Sequence, residues 1–175
     1  MHFQNTRDHT GDTHRKGTFR RKACYHFALL VLVHLLGGLC RSAFPKIHGQ
    51  SFANAAVRED LRKAYPAPHD GWFNIGVLHT NLDGREGHEN YAPCALSDLR
   101  SHGYHYWALG HVHTRDMPSR DPWVVYPGNL QGRSVRETGP RGACVVTVTE
   151  GQVVGEPLFV PFDTVRWAVL DVNVS

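Results

Sequence analysis

The sequence predicts a mixed α/β fold with layered sheets, on three observations. Apolar runs at 73–78 and 104–109 bracket a helical segment, the strand–helix–strand order of a parallel unit. Apolar runs at 122–126, 143–149 and 152–160 then follow without intervening helices, which adds further strands. Finally, 175 residues with 41% apolar and 20% charged side chains make one domain with a core of its own. That composition excludes a collagen-like, disulfide-scaffold or disordered chain.

Charge divides the chain into two parts. Residues 1–46 carry eight Lys and Arg against Asp8 and Asp12, hence +6, while 47–175 carry eleven basic and fourteen acidic residues, hence −3. The overall +3 is therefore no signature of a basic nucleic-acid binder, and a boundary is expected between residues 46 and 47. The four cysteines, Cys24, Cys40, Cys94 and Cys144, are far apart and form no C-x-x-C, which argues against a zinc knuckle or thioredoxin-type site. Buried thiols in a reducing compartment are the simplest reading, so a cytoplasmic protein is expected.

Within the basic leader, HFALLVLVHLLGGL (26–39) is the one strongly apolar run. It falls short of the roughly 20 apolar residues of a membrane span. Its long polar lead-in argues against a secretory signal, and a buried strand or short helix is the favoured reading. Asp12 and His14 have Asp-x-His spacing, but no strand-forming run precedes them, so they read as a solvated tail.

From residue 47 each element has a local cause. Val57, Leu61 and Tyr65 recur at i, i+4 and i+8, which predicts an amphipathic helix over 55–65 with Asn54 as N-cap and Pro66 as its stop. FNIGVL (73–78) reads as a buried strand ending at His79 and Thr80, before the polar loop NLDGREGHENYAP. A short helix over 94–102 is closed by Gly103, and YHYWAL (104–109) runs into Gly110-His111-Val112-His113. PWVVY (122–126) stops at Pro127-Gly128-Asn129. Glu150-Gly151 between two apolar runs predicts a hairpin, and 165–174 alternates loosely as a last strand.

Histidines carry the chemical signal. In an extended segment residues two apart share a face, so His111 and His113 address one pocket, and Gly110 allows close backbone approach. His79 stands in the same context, at the end of a buried strand, where α/β sheets collect their ligand sites. Neutral imidazole is a common ligand for borderline metals. His102 and His105 flank a turn and read as hydrogen-bonded or solvated, His88 lies in a polar loop, and His48 and His69 carry no signal.

The stretches IHGQSFA, FNIGVLHTNLDGREGHENYAPC, GYHYWALGHVH and PWVVYPGNLQGRSVRETGPRGA together resemble the DNA repair exonucleases of the SbcD-like branch of the calcineurin-like metallophosphoesterases. The resemblance starts at about Ile47 and covers roughly three quarters of the chain. It implies part of a layered α/β/β/α sandwich with mixed sheets. It also implies metal-dependent hydrolysis of phosphodiester bonds, using two divalent cations, manganese first, that activate a shared water. By the same resemblance His79 and His111 serve the second metal and His113 the first. Asn129, in the turn beside the site, Arg133, and His88 would approach substrate. DNA and an ATPase subunit of a repair complex are the implied partners, with no membrane.

The family's D-x-H, G-D-x-x-D and G-N-H-D/E motifs have no counterpart before Ile47. Those motifs supply the bridging aspartate, an asparagine ligand and the acid histidine. The chain therefore reads as the C-terminal half of a metallophosphoesterase domain behind a non-homologous leader, a fragment expected to have little or no nuclease activity alone. Two alternatives stay open: a non-catalytic metal- or partner-binding protein with a lone histidine site, to which zinc suits, and a phosphatase of the same superfamily.

Overall fold

A computed structural model describes residues 45–50, 57–84 and 92–173, together with the strand course of 32–35. Strands β2 (Pro45–Gly49), β3 (Phe73–His79), β4 (Tyr106–Gly110), β5 (Asp116–Arg120) and β6 (Trp123–Tyr126) form one sheet in the order β2-β3-β4-β6-β5. All its pairings are parallel except β5 on β6. Helix α1 (Leu96–Ser101) lies on the crossover between β3 and β4. The second sheet centres on β7 (Gly142–Thr149), with β1 (Leu32–Leu35) parallel to it and β8 (Gln152–Val153) and β9 (Leu158–Pro161) antiparallel. The mixed α/β class expected of the sequence is the class observed.

Two cores follow from the period-2 alternation of the strands. Phe73, Ile75, Tyr106, Ala108 and Val125 face β7, packing on Cys144, Val146 and Val148 between the two sheets. Their strand neighbours Leu78, Trp107, Leu109, Val124 and Tyr126 face the other way, onto Leu99 of α1 and Leu82, Tyr65 and Tyr104. Among the described residues the layers thus run α/β/β. Trp107 is fully buried, and its indole N–H donates to the Leu99 carbonyl at 3.1 Å. Gly76 makes room for it: a Cβ there would overlap the Trp107 ring.

Several elements differ from their sequence expectations. In place of a helix over 55–65, a single 3-10 turn spans Leu61–Ala64, started by the Asp60 carboxylate accepting from Arg62 N–H at 3.0 Å. Residues 57–60 are not helical, and 51–56 lie outside the described residues. The spacing of Val57, Leu61 and Tyr65 mimics a stripe, yet Tyr65 alone of the three is fully buried in the core, with Leu61 packed partly buried against it. The run 152–160 breaks into β8 and β9, with Gly155 at φ +70° and Pro157 between them. No strand forms over 165–173. Val169, Leu170 and Val172 are exposed there, and the backbone N–H groups of Thr164 and Val165 bond to the Gln131 side chain rather than to a strand.

β5 is an addition that hydropathy hid: it is a polar edge strand with Pro118 inside and an irregular register between Asp116 and Ser119. From the apolar run 26–39, residues 32–35 form β1 and the rest lie outside the described residues. Strand β2 spans the charge boundary at 46/47. Cys94 and Cys144 are buried free thiols, while Cys24 and Cys40 are outside the described residues. Among the described residues no helix is long and apolar enough to cross a membrane.

Candidate metal centre

β3 and β4 are parallel neighbours, and His79, the last residue of β3, is in register with Gly110, the last of β4. His111 is therefore delivered beside His79 at the carboxyl edge of the sheet. His79 Nε2 lies 3.3 Å from His111 Nδ1, with the rings edge to face at 77°. Two nitrogens bound tetrahedrally to one ion, each about 2.0–2.1 Å from it, stand about 3.3–3.4 Å apart. The pair fits a shared divalent cation.

Backbone and electrostatics agree with that use. His111 has φ +112°, a conformation costly for a side chain with a Cβ and concentrated at functional sites. It turns the chain out of the extended path, so His111 and His113 do not share one strand face. Burial first, then the neighbouring His111 and His113, push the His79 pKa down to about 4. At neutral pH this imidazole is neutral, the form that binds metal.

The segment after His79 is anchored to the core. Thr80 N–H donates to the Gly110 carbonyl at 3.2 Å, its hydroxyl donates to the Ala92 carbonyl at 2.6 Å, and the Tyr126 hydroxyl donates to the Thr80 carbonyl at 2.9 Å. On the other side, the turn after β6 carries Gly128 at φ +82°. An added Cβ at Gly128 would lie 2.8 Å from the His113 carbonyl oxygen, so only glycine allows this approach. The adjacent Asn129 N–H donates to that carbonyl at 3.2 Å, as does the buried guanidinium of Arg141 at 2.5 Å.

His113 is near enough to His79 to help lower its pKa, and its own hydrogen-bond partners are loop residues. Its Nδ1 is 2.7 Å from Glu137 Oε1, and Arg133 Nη2 is 2.9 Å from its Nε2. Asn129 Nδ2 donates to the other Glu137 oxygen at 3.1 Å. Burial raises the Glu137 carboxyl, but hydrogen bonds from Arg133 N–H, His113 and Asn129 outweigh it and hold the pKa below the usual range.

The residues expected at the site are thus brought together in two adjoining groups, His79 with His111, and His113 with Asn129 and Arg133. His88 lies outside the described residues. Glu137 and Arg141 belong to the second group and were not singled out from sequence. Their signal was faint: a carboxylate four residues after Arg133, and an arginine just before the apolar run of β7.

Among the described residues one set of three donors has all its ligand atoms within 4.8 Å of one another: Asp60, Cys94 and Asp98. Arg62 already pairs with both carboxylates, Asp60 at 3.1 Å and Asp98 at 3.5 Å. Burial and then Asp60 push the Cys94 thiol up to about 12. By the same measure, no described carboxylate joins His79 and His111 as a third close donor.

Histidines thus converge at the ends of parallel strands in a two-sheet α/β fold, and similarity to known proteins supports the metallophosphoesterase superfamily. The chain is 41% identical over 130 residues, 74% of its length, to YhaO of Bacillus subtilis (strain 168), a protein named as an uncharacterized metallophosphoesterase. The matched stretch is 31% of that relative, so the chain spans under a third of its length. No family model matches the chain. Dependence on a divalent metal is what such a relative implies.

Proposed function

We propose that the histidine cluster is the metal-binding part of a phosphoesterase site whose substrate is DNA. The observation that carries the metal-binding part of this reading is the 3.3 Å approach of His79 Nε2 to His111 Nδ1 at adjoining strand ends; DNA as substrate rests on the family resemblance. The donor set is neutral imidazole nitrogen, which ligates first-row divalent cations; manganese is the one proposed, on the family resemblance alone. His79 and His111 would hold one cation, and His113 a second in the intact two-metal site. Bound cations supply an activated water and offset charge on the phosphoryl oxygens.

This chain's own residues do the rest. Tyr126 and Thr80 hold the His79 edge rigid, and Gly128 brings the Asn129 turn against His113. Arg133, half-exposed beside His113, can reach a phosphate oxygen with a donor geometry suited to it. By itself the chain should hydrolyse DNA weakly or not at all, because no described carboxylate forms a close three-donor set with His79 and His111. An ATPase subunit of a repair complex is the proposed partner of the intact enzyme.

The test pairs the full chain with DNA and with a phosphopeptide in manganese, following binding and hydrolysis together. The reading expects metal-dependent DNA binding that His111→Ala removes, with little cleavage. Metal-dependent phosphopeptide hydrolysis, or DNA binding indifferent to both metal and His111, contradicts it. Robust DNA cleavage lost in His111→Ala would show instead that the chain suffices for catalysis.

A further inference from the structure

Glu137 stands at the centre of the second group, and its side-chain hydrogen bonds point to one role. Its Oε2 accepts from Arg133 backbone N–H at 2.8 Å and from Asn129 Nδ2 at 3.1 Å, so the carboxylate is held from two sides. Its Oε1 lies 2.7 Å from His113 Nδ1. An ionised carboxylate only accepts hydrogen bonds, so the proton of the neutral ring belongs on Nδ1. Arg133 fits the same tautomer: its Nη2 is 3.0 Å from Nδ1 and 2.9 Å from Nε2, and a guanidinium only donates, so with the Nδ1 proton turned to Glu137 its hydrogen bond falls to Nε2. The His113 backbone is fixed as well, through its carbonyl, by Asn129 N–H and Arg141.

We propose that Glu137 is the positioning residue of the metal centre: it holds His113 in the Nδ1–H tautomer and so presents Nε2 to a divalent cation. The proposal rests on the metal-centre reading above. Outer carboxylates that accept the second N–H of a ligating histidine fix its ring and raise its basicity. Arg133 occupies the approach to Nε2, so a cation entering there displaces its side chain. Its backbone N–H stays on Glu137 throughout, which keeps the loop in place while the half-exposed guanidinium turns outward.

The test is long-range 1H–15N correlation on the full chain with 15N-labelled histidine, which reads each ring's tautomer, joined to calorimetric titration with Mn2+. His113 is expected as Nδ1–H in the wild type. Glu137→Leu should move it toward Nε2–H and weaken Mn2+ binding about 10–100-fold. Glu137→Gln keeps an accepting oxygen and should retain the tautomer and most of the affinity. His105, whose Nδ1 accepts from Asn74 N–H at 3.0 Å, reports an intact fold by staying Nε2–H in every variant.

An Nε2–H His113 in the wild type overturns the proposal whether or not the variants fold. An unchanged tautomer and affinity in Glu137→Leu overturns it too, and Mn2+ binding that still requires His111 would then leave the metal-centre reading intact. A wild-type chain that takes up no Mn2+ overturns both.

Discussion

The hydroxyl of Tyr126 donates to the carbonyl of Thr80 at 2.9 Å, and the same oxygen accepts from Leu82 N–H at 3.2 Å. A phenol rooted in the core thereby ties the end of β6 to the residues immediately after His79. Both backbone partners belong to fully buried residues. Tyr126→Phe keeps the ring and removes the tie, leaving buried polar groups short of a partner. We expect a loss of about 1–3 kcal/mol, seen as a lower denaturant midpoint at unchanged slope.

Gly76 and Trp107 form the tightest fit in the helix-side core. A methyl group on Gly76 would occupy the space of the indole, so Gly76→Ala must shift a fully buried ring. Overpacking of this kind costs about 1–3 kcal/mol. Chemical denaturation checks it, and Trp107 fluorescence should change in the folded state.

Gly128 plays the corresponding part at the site. Its φ of +82° and the 2.8 Å between a built Cβ and the His113 carbonyl leave no room for alanine. Gly128→Ala should destabilise the fold by about 1–3 kcal/mol and weaken Mn2+ binding. Thermal unfolding with and without Mn2+ measures both effects.

Much of this was legible in local sequence, and the reasons are specific. FNIGVL and YHYWAL are apolar runs with sharp polar ends, so the position of His79 and Gly110 at strand ends could be read directly. Glu150 at φ +52° and Gly151 at φ +76° take the two positive φ values that a tight two-residue hairpin turn requires. β5 escaped because an edge strand need not be apolar, and 165–173 misled because alternation without burial makes no strand. Glu137 and Arg141 were illegible for a different reason. Their roles exist only because the loop after β6 folds back on His113, and no local pattern records that return. The φ of His111 is equally a product of the assembled sheet edge.

Acid should destabilise the fold at His79, which burial and then His111 and His113 lower to about 4, and also at His48 and His105. His48 is lowered from its ordinary 6.5 by burial, against the Asn74 hydrogen bond and with help from His69, Lys46 and His102. His105 is also lowered, by burial. Below about pH 6.5 the unfolded chain takes up protons that the folded state still refuses. Stability is therefore full above that pH and falls as pH drops. Denaturant midpoints should decline between about pH 7.5 and 5.5, and less steeply in His48→Gln.

The central claim is that His79 and His111 share a divalent cation, and calorimetric Mn2+ titration of the full chain beside His79→Ala and His111→Ala tests it most directly. The account predicts saturable binding to the wild type, weakened at least about 100-fold in each variant, more than an outer-sphere change achieves. Binding of equal strength in all three proteins, or none in the wild type, would contradict it.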